Sequence, residues 1–562
     1  MNYIRIILYF AFGIVALTLW NTWQHDYSTS STNQQAVVAS IIPQVTATTS
    51  PLSSQLPNDV TNHLNNTITQ SLASPTQKLI SVKTDVLDIQ IDPMGGNIVS
   101  AALPQYPLDQ KNLNVPITLL NNNPDTLYVA QTGITNVPNF ENAEIPYTTL
   151  QTSYQLLNGQ NQIVVSLSGQ NTSGLKIIKT YTFTRDNYNI KINYVINNKS
   201  NKPWQGRYYM QTKRQNYQGA NKDHLIGFHT FFGIAVSTPD KPYEKYSYNA
   251  LINDPLNITT KGGWLATLQH YFLSAWVPNS NENYYYYSQA SANQLYVTGL
   301  IGPTITVLPG QQTSFGSQLY IGPEIASSLN VIAPHLGLTV DYGWLWIIAV
   351  GIFWLLKHVH NIVGNWGWAI VIVTLLIKLL FYKLSETSYK SMAKMRALQP
   401  KLEALKERCG NDRQQLSKAT MELYRKEKVN PLGGCLPILV QIPVFIALYW
   451  VLIESVELRQ APFILWIHDL AAPDPYFILP ILMGTTMFIQ QRLSPAPPDP
   501  TQAKIMMFLP IVFTILFLQF PSGLVLYWTV NQGVSILQQW YITKRFERGA
   551  YKTENKPKKR KH

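Results

Sequence analysis

The run GWAIVIVTLLIKLLF, residues 367–381, is apolar except for one charged side chain, Lys378. A full charge inside a bilayer costs a few kcal/mol even on lenient insertion scales, so we expect this lysine to face a wet cavity or a partner. Alternatively, its ammonium extends to the lipid headgroups. Lys378 precedes the polar end of the segment, Ser385, by about 10 Å of helix, a distance that a lysine spans only in part. The run therefore predicts a functional intramembrane lysine.

Two unlike halves make up the 562-residue chain, which is long enough for a soluble domain and a membrane domain together. Residues 28–335 are polar and rich in Tyr, Asn, Thr and Gln, whereas residues 343–541 are mostly apolar. The formal net charge is +13, and the positive charges are concentrated in two segments beside predicted membrane spans. This distribution favours a membrane surface over nucleic acid as the main partner of the charges.

Cysteine usage and motif content exclude several kinds of site. Both cysteines, Cys409 and Cys435, lie in the second half, so no disulfide framework supports the polar domain. The sequence has no CxxC, HExxH or Walker pattern, and no pair of carboxylates or histidines stands out as a catalytic couple. We therefore expect a protein that is not an enzyme and that has no catalytic residues, metal or cofactor.

The first half is expected to contain an anchor, a linker and a β domain. Residues 1–27 include the apolar run IILYFAFGIVALTLW with no small-x-small cleavage site after it, which favours an uncleaved transmembrane anchor. Residues 28–77 are rich in Ser, Thr, Gln and Pro and predict a flexible linker. Residues 78–335 alternate between apolar and polar side chains, as at Leu87 and Ile89, which predicts a large β-sandwich. Its many aromatic residues could bind sugar, but we favour a role in the core.

Residues 336–366 are ambiguous because their apolar run, 343–356, has only 14 residues. That length and three tryptophans favour an interfacial amphipathic helix over a span. Five spans are expected within a membrane core at 367–542, namely 367–384, 432–453, 476–490, 505–520 and 523–541. With the anchor, they predict a polytopic α-helical membrane protein with six transmembrane helices.

Charge asymmetry predicts the orientation of these spans. Residues 383–428 contain twelve Lys/Arg and six Asp/Glu, and the basic tail, residues 543–562, contains nine and two. The loop 454–475 contains one arginine and four acids. The positive-inside rule therefore predicts that both termini are cytoplasmic and that the β domain lies outside. A span at 343–356 would place the first basic segment outside, against the rule.

The basic segment 385–430 is expected to form a cytoplasmic helical hairpin. Apolar side chains recur in it at three- and four-residue steps and predict one apolar helical face: Met392, Met395, Leu398 and Leu402. Gly410 is expected to end one helix, and Asn411 or Asp412 to cap the next. The methionine-bearing face could contact varied apolar partners, or it could only join the two helices.

Polar side chains recur inside the predicted spans and, together with Lys378, suggest a shared hydrophilic groove: Thr374, Gln441, Gln519, Asn531 and Gln532. Singly, each is more often a helix–helix contact. The span 505–520 has about 24 Å of helix against a hydrocarbon core of about 30 Å, and such a short span thins the bilayer locally. A cation in a half-wet groove would draw a polar segment out of water, while the hydrophobic effect drives its apolar part into lipid.

Three stretches carry a family resemblance: SMAKMRALQPKLEALKERCGNDRQQLSKATMELYRKEKVNPLGGCLPILVQIPVFIALYW, FPSGLVLYW and KGGWLATLQHYF. They resemble the YidC family of membrane protein insertases, the Gram-negative branch of the Oxa/Alb group, and the resemblance covers nearly the whole chain. The resemblance implies an inner-membrane protein with an all-β supersandwich domain in the periplasm. It also implies insertion through a groove, alone or beside the Sec translocon.

The resemblance further implies roles for individual residues. The family's groove charge falls on Lys378 and a substrate-facing hydroxyl on Thr374, beside Gln441 of the predicted groove. An apolar surface for the hydrophobic part of a substrate would be formed by Ile442, Phe445, Leu516, Tyr527 and Trp528. The family pattern has arginine where this chain has lysine, which keeps the charge but loses the planar five-donor fork.

The predicted function is therefore insertion and chaperoning of nascent membrane proteins, moved from the cytoplasm into the inner membrane. Expected partners are nascent membrane proteins, the Sec translocon, anionic lipids and the ribosome, the last through the basic tail and the hairpin. One alternative is a secondary transporter that uses Lys378 as an intramembrane coupling site, although the later spans show no inverted repeat. Another is a periplasmic carbohydrate enzyme on a passive anchor.

Overall fold

The computed structural model describes residues 78–136, 145–171, 174–216, 231–291, 293–410, 412–427, 429, 436–494 and 500–554. All of these residues belong to one compact unit. The expected anchor at 1–27, the expected linker at 28–77 and residues 555–562 of the basic tail lie outside the described residues.

The described part of the β domain contains nineteen strands, several of which bury every second side chain, as Leu175–Thr184 does. This alternation follows from the two-residue repeat of a strand that faces the core on one side. The strands are β1 (Ile80–Lys83), β2 (Asp88–Asp92), β3 (Asn97–Pro107), β4 (Pro116–Leu120), β5 (Tyr128–Asn136), β6 (Tyr147–Thr148), β7 (Ser153–Gln155), β8 (Gln162–Gln170), β9 (Leu175–Thr184), β10 (Asn189–Asn198), β11 (Trp204–Gln215), β12 (Gly233–Ser237), β13 (Glu244–Ser247), β14 (Asn257–Lys261), β15 (Trp264–Gln269), β16 (Phe272–Val277), β17 (Asn283–Ala290), β18 (Leu295–Val307) and β19 (Gln312–Pro323).

The strands form two sheets that enclose a shared core. One sheet has ten strands in the order β14-β17-β18-β11-β5-β3-β2-β1-β7, with β4 paired to β3, and the other has nine in the order β13-β12-β15-β16-β19-β10-β9-β8-β6. A single hydrophobic cluster contains side chains of both sheets, among them Ile89 of β2 and Ile192 of β10. The β-rich domain predicted from the alternation is therefore confirmed.

Aromatic side chains fill much of this core. The largest fully buried side chains in the described residues include Trp264, Trp276, Tyr181 and Tyr194. Buried aromatic rings supply large apolar areas, and the two tyrosines also donate hydrogen bonds to backbone carbonyls. We therefore interpret these rings as core residues rather than as a sugar-binding platform.

Eleven α-helices occur in the described residues. Two short ones belong to the β domain, and the rest follow it: α1 (Tyr248–Asn253), α2 (Ala326–Ile332), α3 (Trp346–Val363), α4 (Trp366–Leu380), α5 (Tyr382–Ala397), α6 (Gln399–Cys409), α7 (Arg413–Lys426), α8 (Leu436–Glu454), α9 (Ile478–Leu493), α10 (Pro500–Phe517) and α11 (Ser522–Glu554). A second hydrophobic cluster joins α3, α4, α8, α9 and α11 into a helical core.

Helix length and composition bear on the predicted spans. Within the described residues, Gly343–Val363 is the one helical segment long and apolar enough to cross a membrane by itself. The pair α4 and α5 meets the same test together but is bent by 67°, and Val440–Glu454 and Lys504–Phe517 are shorter apolar helices. Six spans are therefore not confirmed. The interfacial orientation expected for residues 336–366 stays a prediction. The helix in this segment, α3, has 18 residues and is therefore longer than the 14-residue apolar run suggested.

The helix that contains Lys378 ends earlier than predicted. The Asn365 side chain caps its start by accepting a hydrogen bond from the Trp368 backbone N–H at 3.1 Å. The helix then ends at Leu380, four residues before the predicted end of the span, and α5 leaves at 67° to pack against α11. Lys378 consequently lies in the last turn of α4 rather than well inside a continuous helix. In that position the carbonyl end of the helix stabilises a positive charge.

The hairpin has the caps that the sequence predicts. Gly410 follows α6 with a φ of +56°. The Asp412 carboxylate accepts hydrogen bonds from the backbone N–H groups of Gln414 and Gln415 at 2.9 and 3.0 Å. A break at Leu398, which the sequence analysis missed, separates α5 from α6, and Pro400 lies in the first turn of α6.

Candidate functional site: a polar seam around Lys378

One face of α11 carries three buried polar side chains. Asn531, Ser535 and Gln539 are each at most 5% exposed. They are four residues apart, and that spacing places them on one face of the helix. We call these three residues and their partners on neighbouring helices the polar seam.

Lys378 reaches the middle of the polar seam. Its Nζ donates a hydrogen bond to Ser535 Oγ at 2.6 Å, and Ser535 Oγ in turn donates to the Asn531 carbonyl at 2.8 Å. Only 5% of Lys378 is exposed. No acidic side chain forms an ion pair with Lys378 in the part of the chain that the structure describes. The buried ammonium is therefore bound by a neutral hydroxyl.

The other two positions of the seam join α11 to different helices. Gln441 Nε2 of α8 donates to Asn531 Oδ1 at 2.5 Å. Gln490 of α9 donates from its side-chain amide to Gln539, whose own Nε2 donates to the Leu493 carbonyl at 2.9 Å. Helices α4, α8 and α9 thus each contribute one long polar side chain to the same face of α11.

Thr374 lies one turn before Lys378 on α4 but does not join the polar seam. Its Oγ1 donates to the Ile370 carbonyl at 2.6 Å, and the residue is 1% exposed. It lines a narrow crevice together with Val444 and Tyr527, and the crevice has no room for a water molecule. The predicted substrate-facing hydroxyl is therefore satisfied by its own helix and enclosed by apolar side chains.

Three of the five residues predicted to form the apolar substrate surface lie in an aromatic cluster at the junction of α8, α10 and α11. Phe445 meets Trp528 edge to face at 4.8 Å between ring centroids and lies 6.5 Å from Tyr527. Phe517 of α10 lies 5.9 Å from Phe445 and 5.8 Å from Trp528. The Trp528 indole N–H is buried without a hydrogen-bond partner among the described residues. The cluster holds the three helices together and offers one free donor.

The other two residues predicted for the apolar substrate surface lie on the outside of the helical core. Ile442 of α8 is 45% exposed and Leu516 of α10 is 40% exposed. Ile442 follows Gln441 directly, so neighbouring positions of α8 face the seam and the outside. The eight residues predicted for the groove therefore divide into a polar seam, an enclosed hydroxyl, an aromatic cluster and an exposed apolar surface.

The apolar face of the hairpin is its internal contact. Met395 and Leu398 are buried in a cluster with Tyr424 and Val429, and Met392 and Leu402 pack against it. The structure thus favours the interpretation in which these residues join the hairpin helices. The outer surface of the hairpin is mainly polar, although Met421 is 47% exposed.

The sequence analysis singled out Asn531 on α11 but missed three other members of the polar seam, Ser535, Gln539 and Gln490. The available signal was the four-residue spacing of Asn531, Ser535 and Gln539 along an apolar helix. No group of His, Cys, Asp or Glu able to hold a metal occurs among the residues that the structure describes. The described site consists of hydrogen-bonding groups, one cation and apolar surfaces.

Comparison with known proteins shows which family the chain belongs to. The model of the YidC periplasmic domain matches residues 79–355, and that of the 60Kd inner membrane protein matches residues 358–549. A membrane protein insertase YidC from Coxiella burnetii is 48% identical over 556 residues, which are 97% of each chain. The chain belongs to the YidC family of membrane protein insertases. A YidC relative from Legionella pneumophila is 49% identical over 97% of this chain and 98% of its own.

Solved structures of low sequence identity also resemble the chain. An active YidC insertase with its first transmembrane domain resolved is 18% identical, with a TM-score of 0.38, over 83% of this chain and 93% of its own. A galactose mutarotase related enzyme from Lactobacillus acidophilus is 11% identical, with a TM-score of 0.29, over 43% and 97%. Membership in the YidC family implies an inner-membrane location, and the model that matches the β domain names it periplasmic.

Proposed function

We propose that this chain inserts nascent membrane proteins into the inner membrane and that the polar seam receives the polar part of the substrate. Its relatives from Coxiella burnetii and Legionella pneumophila are named membrane protein insertases, which is a non-enzymatic role. The observation that carries the proposal is the bond between Lys378 and Ser535, a buried cation held by a neutral partner.

The charge of Lys378 is only partly compensated in this arrangement. A hydrogen bond with one ionised partner is already stronger than one between neutral groups, and a carboxylate partner adds the attraction of opposite charges in a low-dielectric site. Since the described residues offer Lys378 a hydroxyl and no carboxylate, an acidic side chain of a substrate can bind it more strongly than Ser535 does. The polar seam therefore favours an incoming acidic or carbonyl-rich segment.

Entry requires Lys378 to leave Ser535, because the lysine is covered in this structure. A hydrogen bond to a charged group contributes about 1.5–3 kcal/mol to stability, so releasing it is within reach of thermal motion and substrate binding. Water from the cytoplasm is proposed to reach the ammonium once α4 and α11 separate around this bond. Lys378 lies in the last turn of α4, next to the 67° bend between α4 and α5.

The apolar part of the substrate is proposed to leave sideways over the exposed side chains of α8 and α10. Ile442 and Leu516 present apolar surface there, and the aromatic cluster of Phe445, Tyr527 and Trp528 lies between these helices and α11. Transfer into lipid is driven by about 0.8 kcal/mol per buried CH₂. The process needs neither covalent chemistry nor a nucleotide.

The topology and the partners belong to the same proposal. Both termini and the hairpin of α5, α6 and α7 are proposed to be cytoplasmic, and α3 is proposed to lie at the periplasmic interface. The hairpin and the basic tail would then contact anionic lipids and the ribosome, and insertion would proceed alone or beside the Sec translocon. The positive charges of residues 383–428 support this orientation.

Site-specific photocrosslinking to a stalled nascent membrane protein tests the proposal. Crosslinks are expected from Ile442 and Leu516, with Val331, an exposed residue of α2 in the β domain, as the matched control. Equal crosslinking from Val331 would contradict a route along the helices. Uptake of a small solute by the purified protein in liposomes would instead support the transporter alternative, which no contact of Lys378 favours.

A further inference from the structure

A polar cavity of about 90 Å³ lies between the β domain and the helical core, away from the polar seam. The β domain and the residue that follows its last strand contribute four lining side chains, namely Tyr243, Lys245, His270 and Glu324. The segment before α3 contributes Asp341, and the end of α8 contributes Glu454. The volume accommodates several water molecules. The cavity is therefore a wet, charged part of the junction between the two halves of the protein.

Two direct contacts hold the junction closed beside this cavity. Lys245 of β13 forms an ion pair with Asp341, which precedes α3. His270, between β15 and β16, bonds through Nε2 to the Ile453 carbonyl at 2.9 Å near the end of α8. A further contact of the same junction joins Arg459 Nη2 to the carbonyls of Pro107 and Leu108 at 3.0 and 2.8 Å.

Two carboxylates in the cavity lack such partners. Glu324, directly after β19, is 5% exposed, and Glu454 is the last residue of α8. Neither side chain forms a hydrogen bond or an ion pair among the described residues, whereas the one lysine of the cavity is engaged with Asp341. The Tyr243 hydroxyl also faces the cavity and is buried without a hydrogen-bond partner in the described part of the chain.

Burial and nearby charges favour the protonated form of Glu324 in the cavity. Burial, followed by the nearby charge of Glu454, raises the pKa of Glu324 well above its ordinary value, while Lys245 opposes the shift and Asp341 adds to it. With Glu324, Asp341 and Glu454 all ionised, the cavity would hold three negative charges against the single charge of Lys245. Like charges that share a desolvated site cannot both ionise readily, so one carboxyl keeps its proton.

We propose that this cavity is a proton-operated latch between the β domain and the helical core, in which Glu324 or Glu454 carries a proton while the junction is closed. The proton removes the repulsion between the two carboxylates across the junction. When it is lost, the two carboxylates repel each other and the junction loosens. The latch is independent of the proposed insertion route, because it uses none of the residues of the polar seam.

The direction of the pH dependence follows from proton linkage. The closed junction binds the proton more tightly than the open one, because the pKa of Glu324 is raised only where Glu324 is buried beside Glu454. The closed state is therefore fully stabilised below the ordinary pKa of a glutamate and loses that stabilisation as the pH rises through the raised value. The other titratable groups that line the cavity are Tyr243, Lys245, His270 and Asp341.

The test is a distance measurement across the junction in the full chain. Cys409 and Cys435 are replaced by serine, and spin labels are placed on cysteines at Lys261 of β14 and Arg492 of α9, both exposed. In lipid nanodiscs between pH 5 and pH 9, the wild-type distance distribution should lengthen and broaden as the pH rises. Glu324→Gln, which cannot ionise, should keep the short and narrow distribution throughout.

Two further variants keep the test decisive. Glu454→Gln should also remove the pH response, and it serves if Glu324→Gln does not fold. Asp240→Asn, which removes an exposed carboxylate of the same β domain, should leave the response as in the wild type. A wild-type distribution that does not change with pH would overturn the proposal, as would a pH response that both glutamine variants retain.

Discussion

Lys378 Nζ lies 2.6 Å from Ser535 Oγ, and this bond joins the last turn of α4 to the middle of α11. Both residues are at most 5% exposed. A buried cation that is bound by a hydroxyl can exchange that partner for a stronger one, whereas a cation in a buried ion pair cannot do so without a large penalty. The neutrality of Ser535 is therefore as important to the proposed function as the charge of Lys378.

Replacing Ser535 with aspartate should block insertion without unfolding the protein. The new carboxylate would form a permanent ion pair with Lys378 and compete with substrate. Hydrogen bonds to charged groups contribute about 1.5–3 kcal/mol, so insertion should fall about 10- to 100-fold while the melting temperature is unchanged or higher. The measurement is insertion of a single-span substrate into proteoliposomes, together with thermal unfolding.

The matched control for that variant is Ser535→Asn, which is similar in size to aspartate and has no charge. It should retain most of the insertion activity. If Ser535→Asp inserts substrate as well as Ser535→Asn does, then Lys378 does not need to be free to change partners.

Glycines in the helical core should differ sharply in their tolerance of a methyl group. A Cβ at Gly484 of α9 would lie 2.0 Å from Thr514 Oγ1 of α10, so Gly484→Ala should force the two helices apart and cost about 1–3 kcal/mol. A Cβ at Gly533 of α11 would meet no heavy atom within 4 Å, apart from the backbone of its own helix. Gly533→Ala should therefore be stabilising by about 0.4–1 kcal/mol.

Thermal unfolding in detergent measures both glycine variants. A lower melting temperature is expected for Gly484→Ala and an equal or higher one for Gly533→Ala. The reverse order would contradict the close packing of α9 against α10.

Met395 should act on the stability of the hairpin rather than on partner binding. It is 9% exposed and packs in one cluster with Tyr424 and Val429, so Met395→Ala should cost about 2–5 kcal/mol of local stability. Hydrogen exchange of the α7 amides should accelerate accordingly. Met421→Ala removes an exposed methionine of the same hairpin and should change exchange little.

A different result would support the alternative interpretation, in which the apolar face of the hairpin contacts a partner. If Met395→Ala weakened ribosome or substrate contacts while α7 exchanged as slowly as in the wild type, the methionine would have to be accessible to a partner.

Local signals predicted much of the fold. The alternation at Leu87 and Ile89 and the caps at Gly410 and Asp412 act within a few residues and could be read directly from the sequence. The end of α4 at Leu380 could not be predicted, because the turn at Phe381 depends on the packing of α5 against α11, which is a tertiary contact. The same applies to Ser535, because its importance comes from Lys378, 157 residues earlier in the chain.

Side-chain packing, which cannot be read from a sequence, places the predicted site residues in different surroundings. Thr374 and Lys378 share a helix face, yet the threonine hydroxyl bonds to its own backbone while the lysine reaches α11. Gln441 and Ile442 are adjacent, yet one is in the polar seam and the other is exposed. Residue type and spacing assigned these residues to α4 and α8, and side-chain direction then separated the buried positions from the exposed one.

The most direct test of the central claim compares three variants of Lys378 in the insertion of a single-span substrate into proteoliposomes. Lys378→Met keeps most of the length of the side chain without its charge, Lys378→Ala removes both, and Lys378→Arg keeps the charge. The account predicts that the methionine and alanine variants lose insertion while the arginine variant retains it. Insertion by Lys378→Met at the wild-type rate would contradict an electrostatic role for this residue.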